Sequence, residues 1–197
     1  MFIYVGCLVA LIGLCVLTVY PVYENSHVVI EDDDRTPRSP MSEEQAQLEM
    51  RFSDAYNSQY NSLLRYWGDV LPDYYGGAFI KDRIFHVLVT CDPEDVREEI
   101  VSVTENPNVD IRQCEYSYNE LTELRDRLST TLKELYEEKN EVAMLLSAMM
   151  LEEKKNRVRL NIYENDQDKA DEFASLLGIR NDKRVRFVYA PYRITYA

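Results

Sequence analysis

The sequence predicts an α+β fold made of two hairpin–helix–strand units joined by a long helix. Three observations support this class. The order of two apolar strands, a capped helix and a third strand occurs twice, over residues 69–116 and 142–197. Residues 117–141 carry an apolar stripe at helical spacing. In residues 157–162 apolar and polar residues alternate strictly, which is typical of an open-faced sandwich, here with two ferredoxin-like halves.

A lead-in helix is predicted over residues 42–68, ahead of the first unit. Ser42 and Gln45 have the spacing of a capping box, in which two side chains satisfy free N–H groups at the start of a helix. Apolar residues then recur at helical spacing as far as Trp67. Pro72 ends the pattern, because proline is unfavourable inside a helix.

The first unit begins with a predicted hairpin, whose strands are residues 78–80 and 84–90. Asp92 caps a short helix over residues 93–103. The first residue of that helix is a proline, which is best tolerated at this position. Residues 109–116 form the third strand and complete the unit.

The linking helix starts at a second capping-box pattern, Ser117 and Glu120. The second unit then repeats the order of the first. Its members are strands at residues 143–151 and 157–163, a helix that Asn165 caps and Gly178 closes, and a last strand at residues 185–190. For the first of these strands the alternative is an extension of the linking helix, because its Met, Leu and Ala residues favour helix.

Residues 2–20 are uncharged and strongly apolar, and about 20 such residues cross a bilayer as a helix. We therefore predict a single-pass anchor in the cell membrane over residues 1–21. The alternative is a cleaved signal peptide, which usually has a basic start, but no Lys or Arg precedes Arg35. Residues 22–41 contain prolines and an acidic run, which predicts a flexible tether.

The composition and the motifs argue against several classes of function. The chain has 22 basic and 35 acidic residues and a net charge of -13, whereas phosphate recognition in nucleic acids depends on clustered Lys and Arg. No phosphate-binding loop, dinucleotide fingerprint, nucleophile elbow or zinc-binding spacing occurs. We therefore predict a non-catalytic chain with no nucleic-acid partner, cofactor, metal or small-molecule ligand. The alternative is an enzyme with an unrecognised carboxylate site.

Three arginines are candidates for binding a partner. Arg157, Arg159 and Arg186 fall on the outward parity of the strands of the second unit, where they would form a local basic stripe on an acidic protein. Such a stripe suits the docking of a protein partner on a sheet face or edge. The alternative is ordinary surface patterning, with the arginines paired to acidic residues across neighbouring strands.

Four motifs resemble a recurring bacterial domain that is secreted or anchored in the membrane. They are residues 72–80 (PDYYGGAFI), 87–90 (VLVT), 116–121 (YSYNEL) and 155–158 (KNRV). The domain is similar in layout to the pro-regions of streptogrisin and α-lytic type serine proteases, which are compact α/β modules that cover the protease and assist its folding. The resemblance runs over roughly residues 66–191. It implies a non-catalytic module that binds a protease or an envelope component; the alternative is an envelope protein that only spaces or oligomerises.

The predicted orientation of the body depends on this resemblance. Arg35 and Arg38 follow the apolar stretch, and by the positive-inside rule they favour a cytoplasmic body. Domains of the kind that the chain resembles are secreted, so we predict an extracytoplasmic body instead.

A disulfide between Cys91 and Cys114 follows as a candidate from the extracytoplasmic location. Oxidising compartments allow disulfides, and both cysteines come at the ends of strands that a right-handed crossover makes parallel. Neighbouring strands bring Cα atoms within the ~7 Å that a disulfide requires. Two free, half-buried thiols are the alternative.

Overall fold

The structure is a computed structural model, and it describes residues 28–32 and 42–190. This part of the chain contains two β-sheets and four α-helices. This mixed α and β architecture is the predicted class. The strands are β1 (Ile30–Asp32), β2 (Tyr75–Lys81), β3 (Ile84–Val89), β4 (Asp110–Gln113), β5 (Leu146–Glu152), β6 (Arg157–Ile162) and β7 (Val185–Tyr189). The helices are α1 (Glu43–Trp67), α2 (Pro93–Thr104), α3 (Tyr118–Glu137) and α4 (Gln167–Leu176).

The predicted membrane anchor, residues 1–21, lies outside the described residues. Within residues 28–32 and 42–190, no helix combines the length and the apolar character that a bilayer crossing requires. The predicted tether, residues 22–41, is described at residues 28–32, and this part contains the strand β1 instead of irregular chain.

The elements α1, β2, β3, α2 and β4 form what we call the first module. Its sheet has the order β2-β3-β4, with β2 antiparallel to β3 and β4 parallel to β3 after the crossover through α2. One face of this sheet, the core face, packs against α1 and α2. The buried residues of this core include Leu63, Tyr75, Phe85, Val87, Val89, Val96, Ile100 and Ile111.

The second module consists of α3, β5, β6, α4 and β7, and β1 joins its sheet. The strand order is β1-β7-β6-β5, in which β1 and β6 both run parallel to β7 and β5 is antiparallel to β6. Helices α3 and α4 cover the core face of this sheet. The buried residues here include Leu121, Leu124, Leu128, Val158, Leu160, Ile162, Phe173 and Phe187.

The two hairpins share one construction. In each, the first strand has seven residues and contains a bulge near its start, at Gly76 in β2 and at Ser147 in β5. The turns differ. Asp82 and Arg83, with φ of 51° and 64°, close the first hairpin as a two-residue turn needs, whereas a 3₁₀ segment, Glu153–Lys155, closes the second.

The predicted ferredoxin-like layout is not what the structure has. In that layout the two strands joined by a helix are separated by another strand. Here α2 joins the neighbouring strands β3 and β4, and α4 joins the neighbouring strands β6 and β7. Because each short crossover returns the chain beside the strand that it left, each module has a sheet of its own.

The second module contains the strand predicted after the linking helix, and one of its helices has a different cap from the predicted one. The strand predicted after the linking helix is confirmed as β5, and the helical extension is wrong, because the Asn140 side chain accepts the N–H of Val142 at 2.9 Å and starts a 3₁₀ turn. Helix α4 is capped by Asp166 rather than by the predicted Asn165. The Asp166 carboxylate accepts the N–H of Lys169 at 3.1 Å.

Candidate functional site

The three arginines predicted to bind a partner lie on the outer face of the second module, the face opposite its helices. Arg157 Nη2 is 2.5 Å from Glu115 Oε2, and its guanidinium lies over the ring of Tyr116. Arg159 is 5% exposed, and its Nε donates to Asn161 Oδ1 at 2.6 Å. The side chains of Arg157 and Arg159 are therefore held by groups of the chain itself.

Arg186 joins three strands through its ion pairs. Its guanidinium donates to the carboxylates of Glu31 on β1 and Glu152 on β5, and Glu152 also lies 3.8 Å from Arg159 Nη1. The hydrogen bond from Arg186 holds the pKa of Glu31 below its ordinary value, and the same bond raises the pKa of Arg186. This geometry matches the alternative of pairing with acids; a partner-binding role for the arginines stays a prediction.

Cys91 and Cys114 are free thiols in the structure, so the candidate disulfide is not formed. Cys91 packs against the core of the first module. Cys114 lies three residues after the core residue Ile111, so by strand alternation it points to the opposite face. There its Sγ donates to Tyr116 O at 3.4 Å, and burial raises the pKa of this thiol to about 11. The two thiols therefore lie in different surroundings, Cys91 against the core and Cys114 beside Tyr116.

His86 lies on the outer face of the first-module sheet and is buried. Its ring stacks on Phe79, its Nδ1 is 2.9 Å from Asp110 Oδ2, and its Nε2 is 3.3 Å from Lys81 O. A hydrogen bond from Arg112, with a smaller contribution from His86, lowers the pKa of Asp110. The histidine thus links β3 to β4 and to the end of β2.

The alternative of a carboxylate enzyme requires paired acids in a cleft. An open cavity of about 530 Å³ lies beside the 3₁₀ turn before β5, and its lining includes Glu141, Glu164, Glu172 and Lys169. Lys169 forms an ion pair with Glu164. Within residues 28–32 and 42–190, no three His, Cys, Asp or Glu side chains come together in a way that would hold a metal ion.

The strand β1 was not predicted, and it is held on the second module at both ends. Val28 is buried, its N–H donates to Asp171 Oδ1 at 2.7 Å, and its carbonyl accepts from Gln167 Nε2 at 2.8 Å. From there Ile30 pairs with Phe187 of β7. The sequence signal from which this strand could have been predicted is the β-branched run of Val28, Val29 and Ile30 before the acidic residues.

The matching edge of the first module is open. Among the described residues no strand pairs with the outer edge of β4. The N–H of Cys114 donates inward to Val89 O at 2.8 Å, so by alternation the N–H groups of Ile111 and Gln113 point outward. In the second module Ala190 donates inward to Ile162 in the same way, and β1 covers the outer edge. The two edges are therefore equivalent, one covered and one free.

The modules meet where the turn of the second hairpin reaches the first sheet. Asn156, which is buried and has a φ of 52°, donates from Nδ2 to Gly76 O at 3.1 Å and to Tyr116 O at 2.8 Å. Its Oδ1 accepts the N–H of Tyr116 at 2.9 Å. One amide thus ties the start of β2 to the segment that leaves β4. The predicted KNRV motif contains this asparagine, but its role across the modules was not predicted.

Residues 39–114 match the model of a protein family described as the Pro-like N-terminal domain. The first module is pro-region-like. The match includes α1 and ends one residue after β4, so it covers the first module and stops before α3. The predicted resemblance is confirmed at this level for the first module, and the second module lies beyond the match. No curated protein matches the chain.

Proposed function

We propose that this chain is a non-catalytic protein-binding protein whose first module docks a partner, in the manner of a pro-region. The observation that carries the proposal is the match to the Pro-like N-terminal domain over residues 39–114, which coincides with one folded unit. Pro-regions act by binding another protein rather than by chemistry. The first module would therefore act through a part of its surface to which a second chain can bind.

The outer edge of β4 is the docking place that we propose. An unpaired strand edge offers N–H and C=O groups to an extended segment, which adds to the sheet as a further strand. The second module supports this mode, because β1 binds to the equivalent edge of β7 in the parallel sense. The partner segment on β4 is then an extended strand parallel to β4.

The equivalence of the modules also defines one side chain of the partner. Ile111 pairs with Val87 as Phe187 pairs with Leu160, so Arg112 occupies the position of Val188. Glu31 of β1 lies opposite Val188. A partner residue in the same place would lie opposite Arg112, whose side chain is 55% exposed. We therefore propose an acidic residue at this position of the partner.

The wider setting follows from the sequence. The apolar stretch over residues 2–20 supports a membrane anchor, and the motifs shared with the pro-regions of streptogrisin and α-lytic type proteases support an extracytoplasmic body. We propose a serine protease of that type as the partner.

The test measures binding of the full chain to a serine protease of the streptogrisin type. Gln113→Pro removes one outward N–H and leaves the inward bonds of β4, because proline is tolerated where the N–H of an edge strand faces solvent. Gln113→Ala keeps that N–H and serves as the matched control. We expect Gln113→Pro to weaken binding at least tenfold and Gln113→Ala to change it less than twofold.

Two results would contradict the proposal. Absence of any complex between the unchanged chain and the protease, measured by surface plasmon resonance, removes the proposed partner. Equal binding by Gln113→Pro and Gln113→Ala removes the β4 edge as the docking place. Sedimentation of the chain alone at several concentrations shows whether the edge instead pairs with a second copy.

A further inference from the structure

Glu153 of the second module inserts its side chain into the first module. Its Oε2 accepts the N–H of Ala78 at 3.0 Å, and the residue is partly buried. Gly77, with a φ of 123°, makes this approach possible. A Cβ at residue 77 would lie 3.2 Å from both the Cβ and the Cγ of Glu153, which is closer than ordinary packing allows. The glycine and the glutamate thus form a fitted contact across the junction.

The negative charge of the Glu153 carboxylate acts on four tyrosines from three elements. They are Tyr56 and Tyr60 of α1, Tyr75 of β2 and Tyr118 of α3. For each of them burial raises the pKa most and the negative charge of Glu153 raises it next, to about 12 for Tyr56. The Tyr56 hydroxyl donates to Ala78 O at 3.2 Å. The charge of one glutamate therefore raises the pKa of all four tyrosines.

No cation offsets this charge within the described part of the chain. Burial raises the pKa of Glu153, and the opposing effect comes from the N–H of Ala78, with no Lys or Arg contributing. Lys154 and Lys155, the next residues of the turn, are exposed. A buried carboxylate without a cationic partner favours its neutral, protonated form.

We propose that Glu153 makes the junction between the two modules tighten in acid and loosen as the carboxylate ionises. The protonated side chain keeps the Ala78 contact through its carbonyl oxygen and needs no counter-ion among the tyrosines. The ionised side chain still accepts the N–H of Ala78, but its charge has no cationic partner at the junction. The closed junction is therefore less stable when the carboxylate is ionised. This inference concerns the junction and is independent of whether the β4 edge binds a partner.

The pH range follows from the direction of the shift. Because the folded protein binds the Glu153 proton more tightly than the unfolded chain, this residue stabilises the fold most below the ordinary pKa of 4.5. That contribution declines as the pH rises from about 4.5 through the raised pKa and is constant above it. If the pKa of Glu153 is higher by one in the folded protein than in the unfolded chain, the folding equilibrium constant changes about tenfold across this pH range.

The experiment compares urea unfolding of the full chain and of Glu153→Gln from pH 4 to pH 8, with amide exchange at Ala78 as a local readout. Glutamine keeps the shape and the accepting oxygen but never ionises. We expect the two proteins to be equally stable at pH 4 and the glutamine variant to have at least a threefold larger folding constant at pH 8. The Ala78 amide of the unchanged chain should exchange faster relative to the variant as the pH rises.

Two further variants keep the result unambiguous. Glu98→Gln removes an exposed carboxylate on α2 and should follow the unchanged chain at every pH. Glu153→Ala leaves the Ala78 N–H without its acceptor, so it should be less stable at pH 4 while showing the same flattened pH dependence as Glu153→Gln. The proposal is overturned if the curves of the unchanged chain and Glu153→Gln stay parallel across the range, or if Glu98→Gln alters the pH dependence as much.

Discussion

The first and second modules share the order helix, hairpin, helix and strand, the position of the bulge and the direction of every strand pairing. They differ at the outer edge of the last strand. In the second module the N-terminal segment of the chain covers that edge as β1, whereas in the first module the edge of β4 is open in the described residues. In the second module the covered edge supports the fold, and we propose that the open edge of the first module is used for binding instead.

The outer faces of the two sheets also differ in the charged side chains that they carry. At equivalent cross-strand positions the first module has His86 beside Asp110 and the second has Arg159 beside Arg186. The arginines need acids from both neighbouring strands, and Glu31 and Glu152 supply them. The charge balance on the outer face of the second module therefore includes Glu31, an acid that the added strand β1 supplies.

The largest expected effects come from the two cores. Phe173→Ala should cost about 3–5 kcal/mol and Ile100→Ala about 2–5 kcal/mol, because both side chains are fully buried. Since Asn156 and Glu153 connect the modules, we expect each variant to lower the midpoint of one common unfolding transition, followed by circular dichroism in urea. Two separate transitions, each sensitive to one variant only, would show that the modules unfold independently.

A smaller effect should distinguish the covered edge from the open one. Arg186→Met leaves the Glu31 and Glu152 carboxylates without their donor and should cost about 1–3 kcal/mol. The matched change in the first module, Arg112→Met, removes an exposed pair with Asp110 and should cost less than about 1 kcal/mol. Chemical denaturation measures both, and amide exchange at Ile30 should accelerate only in Arg186→Met. Equal costs at the two sites would contradict the difference between the edges.

The smallest effects concern the two capping boxes. Ser117 is buried and starts α3 in the core of the second module, whereas Ser42 is exposed at the start of α1. Ser117→Ala should cost about 1 kcal/mol, while Ser42→Ala should cost no more than about 0.5 kcal/mol because the first turns of α1 are exposed and fray locally. Thermal unfolding of the two variants makes the comparison, and a larger loss for Ser42→Ala would place α1 closer to the core than its exposure indicates.

The sequence could predict what depends on neighbouring residues. The capping boxes at Ser42 and Ser117 and the order of strands and helices in both units rest on local spacing, and the structure has them. The pairing of Glu31 with Arg186 joins residues 155 positions apart, and no local pattern contains such information. The same holds for Glu153 and Ala78, because a glutamate in a polar turn has the composition of a solvated loop.

The arginine stripe shows where parity alone is insufficient. Alternation correctly places Arg159 on the face away from the helices, yet exposure depends on what the neighbouring strands carry there. Asn161 and Glu152 take up its donors, and the side chain is buried. To predict the surroundings of these arginines would have required the strand order, because it brings Glu31 of β1 and Glu152 of β5 to Arg186.

The position of β1 in the chain has a mechanical consequence. Any tension that enters from the N-terminal side meets residues 28–32 before it reaches α1. The ladder between β1 and β7, the Asp171 clamp on Val28 and the Arg186 pair with Glu31 would bear that load in shear. We therefore expect a pulling force at that end of the chain to load the second module before it reaches the first module.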